Sequence, residues 1–215
     1  MIDYERARAH MVDSQLRAGG VTNARILAAM SVLPRESFVT AARRDVAYVD
    51  DIQWLGAGRF MSAPATLGKL LQLAEISADD KVLDVGAATG YSTAVIARLS
   101  ASVIGLEADA SLAATAAVNL AALGLGNASI VTGSIDQFGA ARFDVIMVQG
   151  ALASVPDGYI EALREGGRLV VLIRTGAVSL AHVFVKTGQQ ATARAEFNAF
   201  LPLLFSDQAN KEFVF

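Results

Sequence analysis

The sequence contains no cysteine, and this absence excludes several kinds of protein at once. Without thiols the chain cannot be a disulfide scaffold, cannot use a thiolate nucleophile and cannot bind zinc or an iron–sulfur cluster through cysteine. Its two histidines, His10 and His182, lie far apart in the sequence, which argues against a histidine-rich metal site. We therefore expect no bound metal.

Charged residues are scarce as well. They form 18% of the chain, below the about 25% of typical domains, whereas 53% of the residues are hydrophobic. A net charge of -3 argues against a general nucleic-acid binder, because such proteins usually carry a strong basic excess. The apolar composition argues against global disorder and is compatible with a buried contact in a homodimer.

Long hydrophobic runs are also missing. The strongest run, residues 169–173, is far shorter than the roughly 20 residues that a membrane span needs. The first ten residues are charged and amphipathic and contain no apolar core of an export signal. We expect a cytoplasmic protein without a membrane partner.

The chain has two regions of different character. Its 215 residues suit one domain of about 150–200 residues with a small extension. Residues 1–78 are predicted to be mostly helical, with Thr22 as the N-cap of one helix and with residues 45–61 as a loop. A further helix is predicted to begin at Ser62 or its neighbour, with Pro64 in its first turn.

Residues 79–215 alternate between short apolar runs and helical patterns, and they form the second region. Strands are predicted at residues 82–85, 102–106, 128–131, 143–148 and 168–173, and helices at 91–99, 110–123 and 159–164. This alternation indicates an α/β fold with a doubly wound, mostly parallel, Rossmann-like sheet. We predict that residues 182–186 and 193–204 add antiparallel edge strands. The apolar terminus 210–215 is predicted to form a last strand or a dimer contact.

A glycine-rich turn follows the first strand of this region. Residues 84–90 follow the pattern Asp-x-Gly-x-Ala-x-Gly, in which a strand enters a turn that opens a helix. Small residues let a ligand approach the backbone, and the helix start presents free N–H groups. The pattern is neither the G-x-G-x-x-G of NAD sites nor a P-loop. Gly86 and Gly90 alone could also be purely structural.

An acidic residue ends the second strand of the sheet. Glu107 comes 21 residues after Gly86, which should place its carboxylate beside the glycine turn, where it can accept from both hydroxyls of a ribose. Taken alone, Glu107 could instead be a charge at a helix N-terminus. Asp84, the glycine turn and Glu107 together resemble class I methyltransferases that use S-adenosyl-L-methionine.

Further motifs make the resemblance closer than fold class. The runs Met-Val-Asp-Ser-Gln-Leu at residues 11–16, Pro-Arg-Glu-Ser-Phe-Val at 34–39, Ala-Tyr-Val-Asp at 47–50 and Gly-Gly-Arg-Leu-Val at 166–170 resemble protein-L-isoaspartate O-methyltransferases. The likeness covers most of the chain and weakens after about residue 173.

The resemblance implies methyl transfer from S-adenosyl-L-methionine to the carboxylate of isoaspartyl residues in damaged proteins, with S-adenosylhomocysteine as product. It implies that Ser62 lies at the substrate carboxylate, although Ser62 could instead be a helix N-cap. It implies a cofactor site formed by Asp84, Gly86, Ala88, Gly90, Glu107, Ser134 and Gln149. Such a reaction depends mainly on positioning and desolvation.

The chain departs from the family at three places. Residues 58–61 replace a more polar run before Ser62, and Ala63 replaces the glutamine after it. Ser134 stands where the family has the aspartate that holds the adenine amino group, and residues 149–151 replace a small or hydroxylated run. Losing one charged hydrogen bond costs about 1.5–3 kcal/mol, so cofactor binding could be weakened. Two alternatives therefore stay open: the same fold with a different methyl acceptor, and a degenerate homologue that acts as a cofactor-binding or interaction module.

Overall fold

The N-terminal region is helical, as predicted. The computed structural model describes residues 2–56, 58–140 and 142–204. Its first elements are α1 (Tyr4–Met11), which continues as a wider helical turn over Val12–Arg17, and α2 (Ala24–Val32). Short 3-10 turns follow at Arg35–Phe38 and Ala41–Val46. The prediction of Thr22 as the cap of α2 was wrong by one residue, because the Asn23 side chain accepts from the N–H groups of Arg25 and Ile26.

The segment predicted as a loop contains a two-stranded hairpin instead. Strands β1 (Gln53–Gly56) and β2 (Arg59–Met61) pair antiparallel, and Trp54 packs edge-on against Phe60 across the pair. Two glycines of this segment have positive φ, +97° at Gly56 and +68° at Gly58, and allow the chain to reverse. Helix α3 (Pro64–Ala74) follows directly.

The predicted parallel sheet is confirmed. Its parallel strands are β3 (Lys81–Val85), β4 (Ser102–Glu107), β5 (Ala128–Thr132), β6 (Phe143–Leu152) and β7 (Leu163–Thr175). The antiparallel edge strands β8 (Val178–Thr187) and β9 (Gln190–Asn198) complete a seven-stranded sheet of order β5-β4-β3-β6-β7-β8-β9. Strands β4 and β5 are added on one side of β3 and β6 on the other, so the strand order switches between β3 and β6, and the carboxyl ends of β3, β4 and β6 face one cleft.

Three helices connect these strands: α4 (Tyr91–Ala97), α5 (Ala110–Ala122) and α6 (Asp157–Ala162). The helix predicted at 159–164 ends earlier, because β7 already begins at Leu163. Gly166 and Gly167, before the strand predicted at 168–173, lie in an irregular segment inside β7, where the pairing with β6 shifts register. Apolar side chains pack on both faces of the sheet, with Val82 and Val145 on one face and Leu83 and Ile146 on the other.

The end of the described chain departs from the strand predicted over 193–204. Strand β9 ends at Asn198, and residues 201–204 leave the edge to lie beside the end of β6, where Leu203 forms a parallel bridge to Ala151. The prediction for residues 210–215 lies outside the described part of the chain. Within that part, no helix combines the length and the apolarity that crossing a membrane requires.

Candidate active site

The glycine turn joins β3 to α4 in a conformation that small residues favour. The backbone has positive φ at Gly86 (+80°), Ala88 (+49°) and Gly90 (+93°). A Cβ on Gly90 would lie 3.1 Å from the Cβ of Ala116 on α5, so the helix packs closely against the turn. The Gly86 N–H donates to the carbonyl of Leu106, which ties the turn to the end of β4.

Asp84 lies beneath this turn and is fully buried. Its Oδ2 accepts from the hydroxyls of Ser92 (2.7 Å) and Thr93 (2.6 Å), and its Oδ1 accepts from the side-chain amide of Gln149 (2.6 Å). Burial raises the pKa of Asp84, and the three donors oppose that rise. Asp84 therefore connects the start of α4 to the end of β6 through these hydrogen bonds. Ser92 and Gln149 lie between Asp84 and the cleft.

Glu107, at the end of β4, is also fully buried. Its Oε2 accepts from the N–H of Ala88 at 2.8 Å, and its Oε1 accepts from the N–H of Asp109 at 3.0 Å and from Nε of Arg59 at 2.9 Å. The cap of α5 is Asp109, so Glu107 is not the helix-terminal charge that the sequence left open. Its carboxylate faces the glycine turn, and Arg59 of β2 already binds it.

A cavity of about 270 Å³ opens beside Glu107, between the ends of β3 and β4 and the segment after β5. Its walls are Arg59, Val85, Gly86, Leu106, Ala108, Gly133, Ser134, Ile135, Asp136, Pro156 and Tyr159. The Ser134 hydroxyl donates to Oδ2 of Asp136 at 3.0 Å. Asp136 thus brings a carboxylate to the wall where Ser134 had suggested that one was lost.

Tyr159 forms another part of this wall. Burial, with Asp136 adding to it, raises the pKa of Tyr159 to about 12. Its hydroxyl therefore stays protonated at neutral pH. The cavity combines apolar and aromatic walls with a few polar groups, as sites for small organic ligands commonly do.

A second, much smaller cavity lies on the other side of Gly86. It holds about one water-sized group and is lined by Phe60, Met61, Ser62, Leu67, Ala87, Ala88, Thr89, Tyr91, Ser92 and Gln149 together with Gly86. The Ser62 side chain is buried there, and its Oγ has no hydrogen-bond partner among the described residues. Ser62 does not cap α3, because the cap position is Ala63. The capping alternative was wrong.

A buried arginine holds the backbone of Ser62 in place. Arg35 is fully buried, and its guanidinium donates to the carbonyls of Ala47 (2.7 Å) and Ser62 (2.5 Å) while it stacks 4.8 Å from the ring centre of Tyr91. Burial lowers the pKa of Arg35. This packing fixes the segment that carries Ser62 against the first turn of α4.

The structure brings most of the predicted site residues to the two cavities. Ser62, Ala88 and Gln149 line the smaller one, Ser134 lines the larger one, and Gly86 lines both. Asp84, Gly90 and Glu107 support the turn from behind. Sequence reasoning assigned no role to Arg59, Asp136 or Leu204, although Arg59 lies in a stretch already marked as unusual. Among the described residues no cluster of acidic or histidine side chains could hold a metal ion.

Comparison with known proteins adds independent evidence. A sequence model described as protein-L-isoaspartate(D-aspartate) O-methyltransferase matches residues 6–207. A protein-L-isoaspartate O-methyltransferase of Koribacter versatilis (strain Ellin345) is 37% identical over 203 residues, covering 92% of this chain and 90% of the relative. One of Methylorubrum extorquens (strain PA1) is 34% identical over 205 residues, covering 94% and 90%.

Solved structures agree on the fold. A protein-L-isoaspartate O-methyltransferase superposes with a TM-score of 0.79 at 23% identity, over 91% of this chain and 65% of that one. A putative member from Plasmodium falciparum, in complex with S-adenosyl-L-homocysteine, superposes with a TM-score of 0.80 at 20% identity, over 95% and 99%.

Proposed function

Since the chain belongs to the protein-L-isoaspartate(D-aspartate) O-methyltransferase family, we propose that it methylates the free carboxylate of isoaspartyl residues in damaged proteins. The resemblance predicted from the motifs is confirmed, and the chain is an S-adenosyl-L-methionine-dependent methyltransferase. The structural observation that supports the proposal is the pair of cavities that Gly86 lines in common.

The larger cavity suits the adenosine part of the cofactor. Its apolar walls and the Tyr159 ring fit a purine, and the Asp136 carboxylate offers an acceptor for an exocyclic amino group. Glu107 lies at the end of β4, where an acid can accept from ribose hydroxyls. We assign the adenine contact to Asp136 with Ser134 beside it, and the ribose contact to Glu107.

The smaller cavity suits the reacting end of the site. S-adenosyl-L-methionine supplies an electrophilic methyl group on a sulfonium. Gly86, Ala88 and Gly90 allow close approach at the turn, and Gln149 is held at its wall by Asp84. Ser62 presents an unpaired hydroxyl to the same space, which can donate to a substrate carboxylate.

This arrangement requires no general base. The accepting carboxylate is already ionised at neutral pH, since its ordinary pKa is near that of aspartate, about 3.9. The residues of the chain therefore act by orientation and by exclusion of water. Arg35 fixes the backbone of Ser62, and Asp84 fixes Gln149, so both side chains are held before a substrate arrives.

Two measurements test the proposal. Calorimetric titration with S-adenosylhomocysteine should show binding, and Glu107→Ala should weaken it by about tenfold or more, the loss of a charged hydrogen bond. Radiolabelled methyl transfer should occur to an isoaspartyl peptide and not to the matched aspartyl peptide. Absence of binding at millimolar ligand would refute the cofactor assignment, and equal labelling of both peptides would refute the acceptor.

The two alternatives left open by the sequence gain no support. No relative named here points to another acceptor or to a non-catalytic interaction module. The homodimer, the lack of a nucleic-acid partner and cytoplasmic residence stay predictions of the sequence.

A further inference from the structure

Arg59 joins two parts of the cleft that are distant in the sequence. Its Nε donates to Oε1 of Glu107 at 2.9 Å, and its Nη1 donates to the carbonyl of Leu204 at 2.6 Å. Its side chain is only 11% exposed and that of Glu107 is 0% exposed. A bond between a buried carboxylate and a guanidinium is strong when both groups are well oriented, so this contact has consequences for any ligand at Glu107.

The hydrogen-bonding capacity of Glu107 is largely used. Each carboxylate oxygen offers about two acceptor positions. Oε1 already accepts from Arg59 and from the N–H of Asp109, and Oε2 accepts from the N–H of Ala88. The two backbone donors are fixed by the turn and by the start of α5, whereas Arg59 is a side chain. A ribose diol that uses both oxygens must therefore displace Arg59.

Leu204, a further partner of Arg59, covers the glycine turn. The Leu204 N–H donates to the carbonyl of Ala151, and the Ala151 N–H donates to the carbonyl of Pro202, both at 2.9 Å, which fastens residues 201–204 to the end of β6. The Leu204 side chain packs so closely on Gly86 that a Cβ there would lie 2.6 Å from Cδ1 of Leu204. Gly86 lines both cavities, so Leu204 packs against the wall that they share.

We propose that Arg59 is a latch residue that competes with the cofactor ribose for Glu107 and holds residues 201–204 against Gly86, which lines both cavities. The inference rests on the proposed function, because it takes the two cavities as halves of one cofactor site. Arg59 is a positioning residue in this scheme. It reduces the apparent cofactor affinity in proportion to the fraction of molecules in which the latch is open, and cofactor binding releases residues 201–204.

The test compares Arg59→Gln with wild type by calorimetric titration with S-adenosylhomocysteine. Glutamine carries no charge and cannot replace the charged bond that Arg59 makes to Glu107. The variant should therefore bind the ligand about tenfold more tightly. The unliganded variant should melt at a lower temperature, since buried Glu107 loses its counter-ion, and the ligand should raise its Tm more than that of wild type.

Arg168→Gln is the matched control. Arg168 also joins a carboxylate, that of Asp80, to two backbone carbonyls, those of Ala74 and Glu75, but it lies at the opposite end of the strands. Its loss should lower Tm and leave ligand affinity unchanged. Unchanged affinity in Arg59→Gln would overturn the latch, and weaker binding would make Arg59 a ligand of the cofactor instead. Absence of binding by wild type and Arg59→Gln alike would overturn the proposed function itself.

A measurement on the unmodified protein keeps the inference testable if Arg59→Gln does not fold. Hydrogen exchange of the Leu204 amide should become faster when wild type is saturated with S-adenosylhomocysteine, because the closed latch and the ligand compete. Slower exchange in the complex would mean that residues 201–204 close over the ligand, and would overturn the latch.

Discussion

Ser62 offers a test in which stability and activity should change in opposite directions. Its hydroxyl is buried at the smaller cavity and has no hydrogen-bond partner among the described residues, and the cap of the following helix is Ala63. Replacing Ser62 with alanine therefore removes a polar atom that forms no hydrogen bond to stabilise the fold. If the hydroxyl orients the accepting carboxylate, the same change removes a contact that the reaction needs.

The magnitude follows from the burial. A buried polar group without a partner costs about 1–3 kcal/mol. For a chain of this size 1 kcal/mol moves Tm by about 2–4 °C. We expect the Tm of Ser62→Ala to be unchanged or higher by a few degrees. Loss of one hydrogen bond to a charged group should lower kcat by about ten- to hundredfold.

Ser179→Ala provides the matched control. Ser179, on β8, is 2% exposed, and its hydroxyl also has no partner in the described part of the chain. Its carbonyl accepts from the N–H of Ala199, a bond that alanine keeps. The control should show the same small gain in Tm without any change in methyl transfer to an isoaspartyl peptide.

Two outcomes would refute this reasoning. A fall in the Tm of Ser62→Ala by several degrees would show that the hydroxyl supports the fold. Equal kcat values for wild type, Ser62→Ala and Ser179→Ala would remove Ser62 from the reacting end of the site. A fall in kcat with unchanged affinity for S-adenosylhomocysteine would separate an effect on the acceptor from an effect on the cofactor.

Three further predictions concern other residues of the cleft. Burial raises the pKa of Asp84 above its ordinary 3.8, so the folded state keeps this proton to a higher pH than the unfolded state does. The free energy of unfolding of wild type should therefore fall relative to that of Asp84→Asn as the pH rises from about 4. The same pH dependence of both free energies, measured by urea unfolding, would refute this. Gly90→Ala should cost about 1–2 kcal/mol, because φ is +93° and the new Cβ would meet Ala116 at 3.1 Å; an unchanged Tm would contradict it. Asp136→Ala should weaken S-adenosylhomocysteine binding by about tenfold, and unchanged calorimetric affinity would remove the adenine assignment.

The sheet was predictable because its signals are local. Short apolar runs between helical patterns define β3 to β7. Both faces of the central strands β3 and β6 are buried, which is why their runs are continuous rather than alternating. The hairpin β1–β2 was not predictable in this way. Its strands are three and four residues long, and part of its contact is the packing of Trp54 on Phe60 across the pair. In sequence, its two glycines look like a break rather than a turn.

The contacts that matter most at the site join residues far apart in the sequence. Arg59 and Glu107 are 48 residues apart, and Arg59 and Leu204 are 145 apart. No periodicity relates such positions, and a family pattern with a different residue at 59 gives no sign of the pairing. Asp136 was missed for a related reason, since the motif pointed to position 134 and the backbone of the segment after β5 brings position 136 to the same wall.

The two buried acids of the glycine turn look alike in the sequence, but their partners give them different tasks. Asp84 is surrounded by neutral donors, the hydroxyls of Ser92 and Thr93 and the amide of Gln149, and burial disfavours its charged form. Glu107 instead faces the guanidinium of Arg59 at 2.9 Å. A ligand that displaces this guanidinium must itself donate hydrogen bonds to a carboxylate. A diol meets that requirement and a phosphate does not. The contact between Arg59 and Glu107 therefore closes the site and also selects ligands that carry a diol.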